Sequence, residues 1–222
     1  MLLNDPLEYQ PGTRALYSDL GYLLLGLILE EAGGRPLPAL LGDLQKRLAV
    51  EGPRYLPLEE KPPWPREEIA PCGALPGRPR IQGQVEDENA YSLGGVAGQA
   101  GLFGSARQVA AMMEALVAAE KGEGPWPPGL AGELWRVDRD TPGSGRTPGF
   151  DTPSGPTSAA GAGAPPGTVG HLGFTGVSLW WQPGDNAGVV LLSNRVARGR
   201  DNQKIRDFRR QVHDLAWPVL GY

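Results

Sequence analysis

The chain has 222 residues, a formal net charge of -4 and a pI near 5.3, a length that allows one good core or a core with a subdomain. The acidic balance argues against nucleic acid as a main partner, since phosphate binding needs a basic face, and the one arginine-rich stretch, 195–210, is interrupted by Asp201 and Asp207. One cysteine, Cys72, and two histidines far apart in sequence, His171 and His213, leave no intramolecular disulfide and no metal-ligand spacing. No metal or cofactor is therefore expected.

In chain order, residues 1–17 carry Pro6, Pro11 and Gly12 and read as an extended loop. A helix follows, capped by Ser18 or Asp19, with Leu20, Leu23, Leu24, Leu27 and Ile28 as its apolar stripe and Gly33-Gly34 as its stop. The uncharged run Leu20–Leu29 is about half a bilayer span, so it predicts a buried helix rather than a membrane anchor. A second short helix spans Pro36–Leu48, with Leu40, Leu41, Leu44 and Leu48 on one face, and is expected to pack on the first. Eight prolines between Gly52 and Gly83 leave no steady period, which predicts a surface excursion with one turn of helix, held by Tyr55 and Trp64.

Glu86-Asp87-Glu88 reads as solvated surface. Ser105-Ala106-Arg107-Gln108 has the form of a capping box, and Val109, Met112, Met113, Leu116 and Val117 carry an amphipathic helix to Gly122. Residues 122–168 are loop, with a short helix at Leu130–Val137. Three strands are predicted at Thr168–Leu172, Ser178–Gln182 and Gly188–Ser193, the last two joined as a hairpin through Pro183-Gly184-Asp185-Asn186. Val189-Val190-Leu191-Leu192 is apolar on consecutive positions, so both faces of its strand should be covered. Trp180 and Trp181 alternate faces, one for the core and one for a rim. A last helix, Asp201–Trp217, offers Ile205, Phe208, Val212 and Leu215 as cover and leaves His213 on its polar side. Helices, an antiparallel hairpin and a final helix define an α+β layout, an antiparallel sheet flanked by helices.

Three stretches carry chemistry. They are Pro11-Gly12-Thr13-Arg14-Ala15-Leu16-Tyr17-Ser18-Asp19, the glycine-rich run from Asn89 to Phe103, and Gly170-His171-Leu172-Gly173-Phe174-Thr175-Gly176. The middle run has neither Gly-x-Gly-x-x-Gly nor a following Lys-Ser/Thr, so it is no phosphate loop. In this order the three resemble the serine hydrolases of the class C β-lactamase and D-alanyl-D-alanine carboxypeptidase superfamily, from about Pro11 to the C-terminal helix.

By that resemblance Tyr17 is the phenol that takes a proton from a serine, and His171 is the cation or hydrogen-bond donor beside it. Gly173 is a close-approach position, the N–H of Phe174 is one oxyanion donor, and Asp19 stands at a substrate-binding position that is usually asparagine. Leu172 replaces the threonine of Lys-Thr-Gly and His-Thr-Gly motifs and cannot give a hydroxyl contact to a substrate carboxylate. The middle run becomes a cleft wall. The family's nucleophile belongs to a Ser-x-x-Lys segment upstream of the tyrosine. No Ser or Thr of this chain is followed three positions later by Lys, and there is no Gly-x-Ser-x-Gly elbow.

The expected unit is therefore a partial domain over 1–222, mainly helix and loop over 18–167 and antiparallel strands plus a helix over 168–222. It is incomplete, without the nucleophile helix and the N-terminal strands. The implied substrate is a small molecule or peptidoglycan-like ester, amide or D-amino-acid peptide. The truncated chain should not acylate. Alternatives are a ligand-binding paralogue without turnover and an interaction module that self-associates through an exposed sheet edge. The cytoplasm is the default compartment, with the periplasm or secretion open if an N-terminal segment precedes Met1.

Overall fold

The computed structural model describes residues 6–124, 126, 129–130 and 132–222. Helix α1 runs over Asp19–Gly33, with the Ser18 hydroxyl accepting from the Leu20 N–H at 3.2 Å and Gly34 closing it in the left-handed conformation. Helix α2, Leu37–Arg47, is tied back to α1 where the Glu30 carboxylate accepts the Leu37 N–H at 2.8 Å. The predicted apolar stripe of α1 is not covered within this chain. Leu23 is buried, but Leu20, Leu24, Leu27 and Ile28 are exposed, and so are Leu25 and Leu29.

What α1 presses against is backbone. A Cβ on Gly98 would lie 1.9 Å from the Tyr22 carbonyl oxygen, and one on Gly26 would lie 3.1 Å from the Gly98 nitrogen. The glycine-rich run thus lets a loop lie directly on the helix, and Leu23, Val85, Ala90 and Ala97 seal the contact.

Strands β1, Arg54–Tyr55, and β2, Leu102–Phe103, pair antiparallel. At two residues each they are too short to show a period, and the sequence reading missed them. The proline-rich excursion makes one 3-10 turn at Arg66–Glu68, and the Tyr55 hydroxyl donates to the Ala97 carbonyl at 3.2 Å while Arg54 stacks on Trp64. The acidic run is not mere solvated surface. Glu86 is buried and accepts from Arg200 at 2.8 Å, Asp87 caps the short helix α3, Glu88–Ser92, and Glu88 pairs with Arg200 at 2.7 Å.

Helix α4, Ala106–Glu120, carries the predicted capping box between Ser105 and Gln108, and α5 is a single turn at Gly132–Trp135. Strands β3, Val169–Leu172, β4, Ser178–Gln182, and β5, Ala187–Leu191, form an antiparallel sheet in sequence order. Helix α6, Ile205–Val219, begins four residues later than the sequence reading placed it.

The sheet lies between α4 and α6, so both tryptophans are buried and neither forms a rim. Trp181 joins Met113, Leu116 and Val117 on the α4 side, and Trp180 joins Trp217 and Ala160 on the α6 side. The inner face of α6 also differs from expectation: Ile205, Arg209, His213 and Trp217 face inward, while Phe208 and Leu215 face solvent. His213 is fully buried, with Nε2 at 3.0 Å from the Ser178 hydroxyl. Two polar residues of α6, Arg209 and His213, therefore face inward beside Ile205 and Trp217, where the carbonyls of Gly173 and Val177 and the Ser178 hydroxyl offer them partners.

Candidate active site

Tyr17 lies one residue before the cap of α1, and His171 is the third residue of β3. Their ring centroids are 6.3 Å apart with planes 28° from parallel. The segment before α1 and the first turn of α1 are held by hydrogen bonds to the loop 138–151: the Ala15 N–H donates to the Pro142 carbonyl at 3.2 Å and the Tyr22 hydroxyl to that of Pro148 at 3.2 Å. The same loop is tied to β3, because Asp151 exchanges backbone hydrogen bonds with Gly170 at 2.7 and 2.9 Å. One loop thus anchors both halves of the pair.

That loop also supplies a cation that no motif announced. The Arg146 guanidinium lies 4.9 Å from the centre of the Tyr17 ring and donates to the Asp151 carboxylate at 3.2 Å. No periodicity or spacing marks it along the chain, since Arg146 falls in an irregular segment.

The His171 Nδ1 is 3.0 Å from the Leu172 carbonyl oxygen. A carbonyl only accepts, so Nδ1 carries the proton in the neutral ring and Nε2 is left with its lone pair. Burial first, then the Arg146 charge, push the His171 pKa below its ordinary value. The cation beside Tyr17 is therefore Arg146, and His171 offers an acceptor nitrogen. Tyr17 itself is held above the usual tyrosine value, first by partial burial and then by Asp19, against the opposing pull of Arg146. Asp19, in the first turn of α1, thus disfavours a phenolate, as its departure from asparagine implied.

Beyond His171 the strand enters the turn 173–176. The Gly173 N–H donates to the Val177 carbonyl at 2.8 Å, and a Cβ at Gly173 would lie 2.2 Å from the Val177 side chain, so only glycine fits there. Phe174 is exposed, with Arg195 at 4.4 Å and Arg200 at 5.3 Å from its ring centre. Leu172 packs on the far side of the sheet with Trp180 and Trp217. Among the described residues no group of three His, Cys, Asp or Glu could hold a metal ion, and no helix is long and apolar enough to cross a membrane.

A tyrosine at the start of a helix facing a histidine on a sheet strand, in an α+β frame with α4 and α6 on either side of the sheet, is the arrangement of a serine-hydrolase class of fold. A family model described as beta-lactamase matches residues 1–214, and the chain belongs to the beta-lactamase family. A curated relative from Escherichia coli strain K12, named as a D-alanyl-D-alanine carboxypeptidase, is 30% identical over 232 residues, covering 88% of this chain and 48% of that protein. An N-acetylmuramyl-L-alanine amidase from Bacillus subtilis strain 168 is 32% identical over 217 residues, covering 87% and 47%. The chain thus spans about half the length of these curated relatives.

Among solved structures, a beta-lactamase from Mycobacterium bovis aligns with a TM-score of 0.64 at 16% identity, over 96% of this chain and 67% of the other. A hydrolase with promiscuous acyltransferase activity aligns at 0.56 and 22% identity, over 90% and 57%. Both likenesses speak to the fold.

Proposed function

We propose that this chain is the tyrosine- and histidine-bearing portion of a serine hydrolase that works through an acyl-enzyme on an ester, amide or D-amino-acid peptide bond. The carrying observation is the face-to-face placement of Tyr17 and His171 at 6.3 Å. In this reading Tyr17 relays a proton to or from the nucleophile and leaving group, the neutral His171 beside it keeps Nε2 as an acceptor, and Arg146 offsets charge that develops on the phenol. Asp19, Gly173 and Phe174 line the place where the substrate's acyl group would lie. A peptidoglycan-like substrate is supported by the names of the carboxypeptidase and amidase relatives.

The covalent step needs a serine in Ser-x-x-Lys, which this sequence does not contain. The 222-residue chain should therefore not react with a fluorophosphonate. Joined to a Ser-x-x-Lys segment from upstream in its own reading frame, it should label stoichiometrically, and Tyr17→Phe should slow labelling by about two orders of magnitude. Labelling of the 222-residue chain alone, or none after joining, would overturn the proposal.

A second reading, a non-catalytic module that binds another chain, is favoured by one observation, the exposed leucines of α1. A monodisperse monomer in light scattering that also ignores added Ser-x-x-Lys segment would eliminate it.

A further inference from the structure

Arg209 is buried at 6% exposure on the inner face of α6. Its Nη2 donates to the carbonyls of Gly173 at 2.5 Å and Val177 at 2.6 Å, the two ends of the turn that carries Phe174. No carboxylate pairs with it among the described residues, and its Nε has no partner there. A buried guanidinium without a counter-ion is costly, and burial together with Arg195 pulls its pKa down. An apolar side chain would serve a purely structural contact between α6 and the sheet at lower cost.

Where the charge is aimed accounts for it. In a planar trans peptide the C=O and the following N–H point in opposite directions. The Gly173 carbonyl accepts from Arg209 and, closing the turn, from the Gly176 N–H at 3.1 Å, so the Phe174 N–H points out of the turn, away from α6, and it has no acceptor among the described residues. A cation on the carbonyl also draws electron density from the amide and strengthens its N–H as a donor. The neighbouring peptide is fixed in the same way: Arg195 Nε donates to the Phe174 carbonyl at 2.7 Å, and the Arg195 N–H donates to that of Thr175 at 2.9 Å.

We infer that Arg209 is a positioning residue that orients and polarises the Gly173–Phe174 peptide, so that the Phe174 N–H is a preorganised donor for a developing oxyanion. This rests on the hydrolase reading for the identity of the anion, and not for the geometry.

The test uses the 222-residue chain labelled with 15N-phenylalanine, which gives four amide signals, for Phe103, Phe150, Phe174 and Phe208. In a second unsubstituted sample, labelled with 15N-arginine and carbonyl-13C-glycine, a through-hydrogen-bond coupling should connect the Arg209 guanidinium to the Gly173 carbonyl carbon. Arg209→Met should shift the Phe174 amide proton upfield while Phe103 and Phe150 stay in place, and Arg209→Lys should restore most of the shift. A Phe174 signal that does not move in folded Arg209→Met overturns the inference. Should that variant fail to fold, absence of the coupling in the unsubstituted chain overturns it and presence supports it.

In the chain joined to its Ser-x-x-Lys segment, Arg209→Met should lower kcat on a p-nitrophenyl ester about tenfold or more with KM nearly unchanged. An unchanged kcat sinks the oxyanion role. If the joined, unsubstituted chain shows no turnover, the hydrolase reading falls and the amide measurements still decide the role of Arg209.

Discussion

Arg146 lowers the proton affinity of both members of the candidate pair, through the face of the Tyr17 ring and through its proximity to His171. Arg146→Met should therefore raise both pKa values, read from the Tyr17 Cζ and His171 Cε1 carbon shifts on titration, while Arg146→Lys holds them lower. An unmoved Tyr17 would show that the guanidinium is too well screened to matter. His213 makes a separate prediction. Burial, then the Arg209 charge, lower its pKa from 6.5 to about 4 in the folded state. Between those values the unfolded chain binds a proton that the folded chain refuses, so stability is complete above about pH 6.5 and falls as pH drops toward 4. The full effect is about 3 kcal/mol. The urea midpoint should drop from pH 7.5 to pH 5, and His213→Gln should flatten most of that slope. What survives belongs to His171, whose lowered pKa acts in the same direction.

Element by element, local chemistry and close approach set different sensitivities. The Ser105 cap of α4 satisfies the Gln108 N–H at 3.2 Å, and Ser105→Ala should cost about 1 kcal/mol in a urea melt. Gly98→Ala is the harsher change although it adds one carbon. Its Cβ would meet the Tyr22 carbonyl, so the loop must lift off α1, and the expected loss is about 2 kcal/mol or more. Because Tyr22 lies on the same helix that Tyr17 precedes, that displacement should also weaken the Tyr17–His171 ring contact, visible as a loss of the ring-current shift at His171.

For the whole molecule, the open apolar surface of α1 is the feature that most needs a neighbour. Leu20, Leu24 and Ile28 lie one turn apart on the helix and are 47%, 36% and 52% exposed. Leu20→Lys with Ile28→Lys should leave the urea midpoint of the 222-residue chain within about 0.5 kcal/mol, since little packing is lost. The same pair should abolish assembly with the Ser-x-x-Lys segment and reduce aggregation seen by light scattering. A large destabilisation of the isolated chain would mean that the face is covered in solution by something within it.

Much of this was legible along the chain because its cause is local. The capping box of α4, the Gly33-Gly34 stop of α1 and the turn after Gln182 each depend on neighbours within a few positions. The motifs at Tyr17 and His171 were readable as well, each carried by its own flanking residues. Other features have causes that lie far off in sequence. Arg146 reaches Tyr17 only because a patternless loop pairs with β3. Glu86 is buried because Arg200 arrives from beyond the sheet. His213 and Arg209 turn inward where Ser178 of β4 and the carbonyls of Gly173 and Val177, in the turn before it, give each of them a hydrogen-bond partner. Local order along the chain does not account for the two-residue pair β1 and β2, but it accounts for the long helices, the hairpin and the residue types available for chemistry. The tertiary structure decided which charges meet them, because hydrophobic periodicity reports what a face avoids, water, and carries no information about which polar group waits on the other side.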